Sequence, residues 1–478
     1  MIPDYIQDIL NTFERAGFEA YIVGGSVRDI LCQITPKDWD ITTNATPEQI
    51  QELFPDSVYE NNFGTVGIKR RLADETVEII EATPYRTESG YADNRRPSEV
   101  TFVSELSEDI HRRDFTINAL AMKSDGTVID LIHGQTDLTA QLIRTVGDPQ
   151  ERFQEDALRL LRAVRFAVQM DFEIHPETKT AMIALAPSLA TISQERIRDE
   201  LTKMMLTPRA MNGFILLYET RLLPHIMPEL EEGIGVMQNG HHIYDVWEHL
   251  LRTMQHACDM NWSLDLRMAG LLHDIAKPRT KEGVSPTCSF HGHEVVGASM
   301  AYDILNRLKY PKRFTNRMSK LVRYHMFYYD TGEVTESSVR KLVRNVGVTN
   351  IKDLIKLREC DRIGSGTPKA RPYRLRHFEY MAEKVITDPI SLSMLAIDGN
   401  TLIKELNITP GPNIGTILNV LLAEVLEDPT LNTRDTLIQR VHKLQTQDLN
   451  SLKQQSITTI EAKQEEQDRA IKRKYHVN

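Results

Sequence analysis

The apolar residues of this chain change their periodicity near Pro149, and this change limits the folds that the chain can adopt. Before that point, short apolar runs alternate with helical patterns, and after it nearly all of the periodicity is helical. We therefore expect an α+β protein that is mainly α, with a mixed α/β head followed by all-α domains. The predicted head elements are strands at Glu19–Val23, Trp39–Thr42, Thr65–Lys69 and Thr76–Thr83, with helices at 4–16, from about Ser26 and at Pro47–Leu53.

The composition excludes several classes of protein. The most apolar stretch, Ile417 to Leu426, is far shorter than the ~20 residues of a membrane helix. The four cysteines form no CxxC pair, which argues against a disulfide framework or a thiolate zinc site and suits a reducing compartment. A net charge of −10 argues against indiscriminate nucleic-acid binding but leaves local arginine clusters available for phosphates. We expect a cytoplasmic protein with no signal peptide and no membrane partner.

A strand, a tight turn and a helix are predicted around Gly24-Gly25. Two glycines let the backbone approach a ligand closely, and the start of the following helix offers N–H groups to a phosphate. Ser26 and Arg28 can add side-chain contacts. The segment is therefore a candidate triphosphate-binding loop, although an ordinary strand–helix turn has the same pattern.

Two aspartates follow this loop after a short interval, Asp38 and Asp40. On a strand, residues i and i+2 point to the same side, so both carboxylates would share one face. Such a pair beside a phosphate loop is typical of a site for Mg²⁺ ions. Glu81, on the strand ending at Thr83, is a third catalytic candidate for the same face, whereas Glu78 lies on the other face.

These two motifs together resemble the polymerase β nucleotidyltransferase superfamily. Gly24-Gly-Ser-Val-Arg-Asp29 with Asp38-Trp-Asp-Ile41 is similar to the class II tRNA nucleotidyltransferases and the bacterial poly(A) polymerases. The resemblance implies template-independent addition of CCA to the 3′ end of tRNA from CTP and ATP, with Mg²⁺ in the head. An A-adding enzyme and a poly(A) polymerase remain alternatives.

A second motif reads Arg112-Arg113-Asp114-Phe-Thr-Ile-Asn118-Ala. The spacing from Asp114 to Asn118 is wrong for the catalytic loop of protein kinases, and the other kinase motifs are missing. The motif resembles the second motif of the tRNA nucleotidyltransferases. In that family the arginines and the aspartate hold ribose and triphosphate, and the asparagine positions the sugar.

The segment between the motifs, residues 86–100, is rich in turn-forming and charged residues, which predicts a mobile loop. It resembles the flexible loop that the family needs for adding A, and this argues against an enzyme that adds only CC.

Residues 151–167 predict one amphipathic helix, with Arg152, Asp156 and Arg159 on its polar face. A solvated face with ion pairs would have the same spacing. The form Glu155-Asp156-x-x-Arg159 resembles the class II motif in which protein side chains select the base; Arg162 and Arg165 are further nucleotide-binding candidates. The predicted apolar face comprises Phe153, Ala157, Leu160, Leu161, Val164 and Val168.

Residues 194–201 resemble a family segment near the RNA-binding neck. Arg196 and Arg198 are candidates for phosphate contacts, and surface ion pairs are the alternative.

Histidines and aspartates recur in the second half in the order H, HD, H, H, D, which resembles the HD metal-dependent phosphohydrolases. Imidazole and carboxylate ligands suit a transition-metal ion such as Ni²⁺, Mn²⁺ or Co²⁺. The resemblance implies phosphatase or 2′,3′-cyclic phosphodiesterase activity. A degenerate HD domain kept for scaffolding, and an HD phosphohydrolase with an inactive tRNA-binding head, are the alternatives. The predicted ligands are His249, His273, Asp274, His293, His325 and Asp361.

The resulting domain prediction places a nucleotidyltransferase head at 1–136, a helical neck for base selection and RNA binding at 137–235 and an HD domain at 236–366. A helical tail at 367–448, either a tRNA-binding arm or simple packing, precedes a charged segment at 449–478. The sequence leaves the oligomeric state open.

Overall fold

The computed structural model describes residues 2–59, 64–71, 76–89, 99–239, 243–387 and 391–477. The chain divides into two compact units. The first comprises residues 1–323 and 360–367, and the second comprises residues 324–359 and 368–478. Helices dominate both units, and the mixed sheet lies in the N-terminal head, so the predicted α+β, mainly α class is confirmed.

The head is built on a seven-stranded sheet in the order β3-β4-β5-β2-β1-β8-β9. Strands β2 and β5 run parallel to each other, and the other neighbouring pairs are antiparallel. Two small ladders, β6-β7 and β10-β11, lie outside this sheet. The strands are β1 (Ala20–Val23), β2 (Asp40–Thr43), β3 (Ser57–Tyr59), β4 (Val66–Arg71), β5 (Val77–Pro84), β6 (Arg86–Ser89), β7 (Glu99–Phe102), β8 (Ala121–Met122), β9 (Val128–Ile129), β10 (Leu142–Ile143) and β11 (Glu173–Ile174).

Helices alternate with the strands in the head and form most of the regular structure after it. They are α1 (Asp4–Arg15), α2 (Gly25–Leu31), α3 (Pro47–Leu53), α4 (Leu106–His111), α5 (Gly134–Thr139), α6 (Pro149–Glu155), α7 (Leu158–Met170), α8 (Pro176–Leu185), α9 (Gln194–Met205), α10 (Ala210–Glu219), α11 (Val246–Asp259), α12 (Leu264–Leu272), α13 (Lys277–Thr280), α14 (His293–Arg307), α15 (Lys312–Tyr324), α16 (Glu336–Val346), α17 (Val348–Gly364), α18 (Tyr373–Ile386), α19 (Gly399–Lys404), α20 (Pro412–Glu427), α21 (Arg434–Leu444) and α22 (Leu449–Tyr475).

The head elements that were predicted match the structure to within one or two residues, whereas β3, β6 to β9, α4 and α5 were not predicted. Helix α3 shows the clearest case, because Thr46 and Gln49 form a capping box and Pro47 occupies the first turn. The apolar faces of α1, α3 and the sheet enclose one core, which includes Phe13, Ile22 and Ile41. One boundary matters for the site: β2 begins at Asp40, so Asp38 precedes the strand.

The predicted single helix over residues 151–167 is wrong, because the structure divides it between α6 and α7. Asp156 adopts an extended conformation (φ −142°, ψ 103°) at the break. Its carboxylate accepts a hydrogen bond from the backbone N–H of Leu158, 3.0 Å away, and so supports the start of α7. The predicted apolar residues are all buried nevertheless.

The second unit has its own core, formed mainly by α20 and α21 with apolar side chains from neighbouring segments. The apolar stretch Ile417 to Leu426 lies within α20, and the charged C-terminal segment forms the long helix α22. In the part of the chain that the structure describes, none of the helices has the length and apolar character needed to span a membrane.

Candidate functional site

Two of the predicted catalytic carboxylates lie side by side in the head sheet. Asp40 at the start of β2 and Glu81 in β5 are register partners in the parallel ladder, and both side chains are exposed. Paired residues of neighbouring strands project to the same face, so the structure places Glu81 beside Asp40. Asp38 is exposed and lies just before the strand, where its charge acts on Asp40.

The glycine turn approaches this carboxylate pair closely. Gly24 has a φ of +74°, a conformation that favours glycine, and a β-carbon there would lie 3.5 Å from Oδ2 of Asp40. Desolvation by the surrounding atoms raises the pKa of Asp40; Asp38 adds to this rise, and the guanidinium of Arg113 opposes it. Clustered carboxylates supply the negatively charged oxygen ligands that a hard divalent cation prefers.

Helix α2 begins at Gly25 and directs its side chains inward. Ser26 is buried, and its hydroxyl donates to the carbonyl of Val23 at 3.0 Å. Arg28 is also buried; it donates to Oδ1 of Asn118 at 2.7 Å and to the carboxylate of Asp29 at 2.6 Å. The structure thus joins the two predicted nucleotide-binding motifs through Arg28 and Asn118, which lie 90 positions apart in sequence.

The paired arginines of the second motif are anchored by a residue that the motif analysis missed. Asp109 in α4 is fully buried, and its Oδ1 accepts from Arg112 at 2.6 Å while its Oδ2 accepts from Arg113 at 2.9 Å. Burial alone would raise the pKa of Asp109, but Arg113 and Arg112 more than offset it and the pKa is lowered. The i, i+3 and i, i+4 spacing was the signal in the sequence that could have identified this residue.

Asp114 connects the head to α7. It is buried and accepts from Nη2 of Arg162 at 2.6 Å and from the backbone N–H of Phe115 at 2.9 Å. Burial would raise its pKa, but Arg162 and Arg159 lower it below the usual range. Arg165 turns instead to Glu200 in α9, at 2.5 Å. Both arginines therefore pair with buried carboxylates, Arg165 as a buried side chain and Arg162 as a partly exposed one.

The predicted base-selecting residues lie at the break between α6 and α7. Arg159 is buried and pairs with Glu155 at 2.5 Å, and it also donates to the backbone carbonyl of Arg112 at 3.0 Å. Asp156 pairs with Arg196 in α9, at 2.7 Å. Arg159 and Asp156 are therefore held by different partners, one by the head and α6, the other by α9.

Of the two candidate phosphate-contacting arginines, Arg196 thus forms an ion pair within the protein. Arg198 pairs with Asp199 at 2.8 Å and donates to the carbonyl of Lys309 at 2.6 Å. The predicted mobile loop spans residues 86–100; its ends form the β6-β7 ladder, and residues 90–98 lie outside the described residues.

A second cluster lies within the first unit and contains four of the predicted HD ligands. His249, His273, Asp274 and Asp361 are all buried, and their ligand atoms lie within 4.8 Å of one another. Nε2 of His249 is 3.0 Å from Oδ2 of Asp274 and 3.5 Å from Oδ1 of Asp361. The donor set of two imidazoles and two carboxylates suits a transition-metal ion.

Neighbouring groups orient this cluster. Nε2 of His293 lies 3.1 Å from Oδ1 of Asp274, and Nζ of Lys277 lies 2.6 Å from Oδ2. Burial would lower the pKa of His273, but Asp274 and Asp361 raise it to about 9. His325 belongs to the second unit, and its place among the ligands stays a prediction. His241 and His242 lie outside the described residues.

Three family models match successive parts of the chain. A family model described as "Poly A polymerase head domain" matches residues 20–144. "Probable RNA and SrmB-binding site of polymerase A" matches residues 171–234, and "HD domain" matches residues 246–362. The CCA-adding enzyme of Enterococcus faecalis is 34% identical over 445 residues, which cover 90% of this chain and 93% of that protein.

The chain belongs to the family of CCA-adding enzymes. The resemblance inferred from the motifs is therefore confirmed. Higher identity occurs over a shorter part: the CCA-adding enzyme of Limosilactobacillus fermentum is 48% identical over 226 residues. That alignment covers 47% of this chain and 55% of the relative, so the chain spans about half the length of that CCA-adding enzyme.

The fold is shared with a CCA-adding enzyme of known structure. The crystal structure of the Bacillus stearothermophilus CCA-adding enzyme in complex with CTP matches with a TM-score of 0.58 and 24% identity. The match covers 93% of this chain and 99% of that chain. The similarity therefore extends through both units rather than being confined to the head.

Proposed function

We propose that this chain completes the 3′ end of tRNA by adding C, C and A in turn from CTP and ATP, without a nucleic-acid template. The observation that carries the proposal is the placement of Asp40 beside Glu81, with the Gly24 turn directly against Asp40. Family membership and the base-selecting residues in the same unit support it. The free cysteines suit a reducing compartment, and we assign the activity to the cytoplasm.

In this proposal the triphosphate binds between the glycine turn and the second motif. Gly24 and Gly25 allow the phosphates to approach the backbone, and Arg28 and the arginine pair 112–113 supply positive charge. Asn118, fixed by its bond to Arg28, positions the sugar. These groups align the α-phosphate with the 3′-hydroxyl of tRNA.

Asp38 and Asp40 would hold Mg²⁺, which neutralises phosphate charge and activates the 3′-hydroxyl when bound. The 3′-hydroxyl loses its proton to solvent, its oxygen forms a bond to the α-phosphorus, and the bond from that phosphorus to the bridging α–β oxygen breaks, so that pyrophosphate leaves with this oxygen. Glu81 stands next to Asp40 and keeps that face of the sheet acidic.

We assign base selection to the side chains of Asp156 and Arg159, at the break between α6 and α7. Arg159 can donate and Asp156 can accept, so together they match complementary groups on the edge of a base. Because Asp156 lies in extended backbone between two helices, its direction can differ between C and A without unwinding either helix.

Single-nucleotide extension tests this function. Purified protein with Mg²⁺ is given tRNA ending at the discriminator base, or tRNA ending in CC, with CTP, ATP or both. Two C residues followed by one A and then a stop would support CCA addition. One A on the CC-ended substrate alone would indicate an A-adding enzyme, and long A tails a poly(A) polymerase. No incorporation would refute the proposal.

A second activity is favoured by the buried cluster of His249, His273, Asp274 and Asp361. We propose that these residues, with His293 and His325, hold Ni²⁺, Mn²⁺ or Co²⁺ and serve a phosphohydrolase reaction. Such an ion polarises a phosphoryl oxygen and lowers the pKa of bound water. Hydrolysis of a 2′,3′-cyclic nucleotide or of p-nitrophenyl phosphate after metal loading tests this activity, and a loaded protein inactive on both would argue for a scaffolding domain.

A further inference from the structure

Asp109 is a buried carboxylate surrounded by hydrogen-bond donors. Its Oδ1 accepts from Nε of Arg112 at 2.9 Å and from Nη2 of the same residue at 2.6 Å. Its Oδ2 accepts from Nη2 of Arg113 at 2.9 Å and lies 3.3 Å from Oγ1 of Thr42 in β2. A fully buried anion is costly unless it is paired in this way, so its position is closely determined.

Helix α4, which carries Asp109, is hydrogen-bonded to α6 and α7 through the backbone carbonyl groups at its C-terminal end. Arg159 donates to the carbonyl of Arg112 at 3.0 Å, and Arg152 donates to the carbonyl of His111 at 3.1 Å. Asp109 therefore fixes the side chain of Arg112, and the backbone of that residue fixes Arg159. The groups proposed to bind the triphosphate and those proposed to select the base are therefore linked through Arg112.

We infer that Asp109 is a positioning residue that couples the triphosphate arginines to Arg159 and so contributes to the choice of base. This inference rests on the proposed nucleotide addition. Without the carboxylate, two adjacent guanidinium groups would repel each other in a buried setting, and the end of α4 would shift. Arg159 would then lose the carbonyl that sets its direction toward the base.

Asparagine is an informative replacement because it keeps the shape of the side chain. Its amide NH₂ group would face donors from Arg112, Arg113 or Thr42, and a donor cannot accept their hydrogen bonds. Thr42→Val is a milder change, which removes one hydroxyl beside Oδ2 and keeps the side-chain shape.

The test measures selectivity rather than activity alone. Steady-state addition to tRNA ending at the discriminator base is followed with CTP and with UTP, and the ratio of the two kcat/KM values is compared. Asp109→Asn is expected to lower this ratio by about tenfold, and Thr42→Val by about twofold. A purely structural role would lower the amount of active protein and leave the ratio unchanged.

Asp265→Asn serves as the matched control, since it removes another carboxylate paired with an arginine, Arg317, in the HD-matched part of the same unit. The ratio of kcat/KM for CTP to kcat/KM for UTP in Asp265→Asn should equal that of wild type. An unchanged ratio in Asp109→Asn overturns the inference; if that variant does not fold, an unchanged ratio in Thr42→Val overturns it. A wild type that incorporates no nucleotide would refute the proposed function itself, and this result is distinct from both.

Discussion

The guanidinium of Arg196 binds both carboxylate oxygens of Asp156, at 2.7 Å to Oδ2 and 3.3 Å to Oδ1. The pair joins α9 to the break between α6 and α7, and both side chains are partly exposed. Asp156 is therefore held by a partner that solvent and substrate can reach. Under the proposed function, a bound base would compete for this carboxylate without having to open a sealed core.

Replacing Arg196 by alanine should impair base selection more than folding. Asp156 would lose the partner that fixes its direction, so we expect kcat/KM for CTP to fall about tenfold, equivalent to ~1.4 kcal/mol. A partly exposed ion pair adds only about 1 kcal/mol or less to stability, so the midpoint of thermal unfolding should change little. Steady-state kinetics with CTP and ATP, together with calorimetry, check both expectations.

Lys179→Ala is the control for this variant, because it removes an exposed ion pair with Glu219 elsewhere in the first unit. Equal kinetic losses in both variants would show that Asp156 does not depend on Arg196.

The contrast between α3 and the α6–α7 break shows what could be predicted from sequence. The start of α3 depends on Thr46, Pro47 and Gln49, which are neighbours in sequence, and its prediction was confirmed. At the break between α6 and α7, Asp156 pairs with Arg196, 40 positions away, and the periodicity of one segment contains no information about that partner.

The same distinction applies to the site. The Gly24 turn, the carboxylates and the arginine motif were recognisable because each is a local pattern. The bond between Arg28 and Asn118 and the contact of Asp109 with Thr42 appear only when strands and helices distant in sequence come together.

Asp40→Ala should abolish nucleotide incorporation. Asp40 lies against the Gly24 turn and beside Glu81, so its loss removes a proposed metal ligand at the point where phosphate charge must be neutralised. We expect kcat to fall on the order of 10³-fold or more, because a metal ion contributes several kcal/mol to such reactions. Any metal-dependent phosphohydrolase activity should persist, since its residues lie in a separate cluster.

Glu78→Gln is the matched control for the head carboxylates. Glu78 lies in β5 but pairs with Arg70, at 2.7 Å, so the change should leave incorporation near the wild-type rate. Full activity in Asp40→Ala would exclude this carboxylate from catalysis, whatever the control shows.

Asp114 should make the stability of the first unit dependent on pH at the acid end. Arg162 and Arg159 hold its folded-state pKa below the unfolded value of about 3.9. The ionised carboxylate therefore stabilises the fold at pH values above about 4, and this stabilisation is lost as the pH falls toward the folded-state pKa. Asp114→Asn should lower the free energy of unfolding at pH 7 by about 3 kcal/mol.

Urea unfolding of wild type and Asp114→Asn at several pH values checks this expectation. The difference in the free energy of unfolding between the two proteins should be constant from pH 7 to about pH 5 and should become smaller below about pH 4. Asp199→Asn, an exposed carboxylate, should differ from wild type by less than about 0.5 kcal/mol throughout. A difference that persists unchanged at low pH would mean that the effect of Asp114→Asn does not come from its charge.

Two histidines of α11 allow an effect on metal binding by the second cluster to be distinguished from an effect on helix packing. His249 and His256 both lie on this helix, but only His249 belongs to the buried cluster, whereas His256 packs edge-on against Trp262. We expect His249→Gln to weaken Ni²⁺ or Mn²⁺ binding at least about 100-fold, because the ion loses a ligand from a compact donor set. His256→Gln should retain about one ion per chain.

Metal content after dialysis, measured by mass spectrometry, distinguishes the two variants. Equal metal content in both would show that the cluster is a structural network of ion pairs rather than a metal centre.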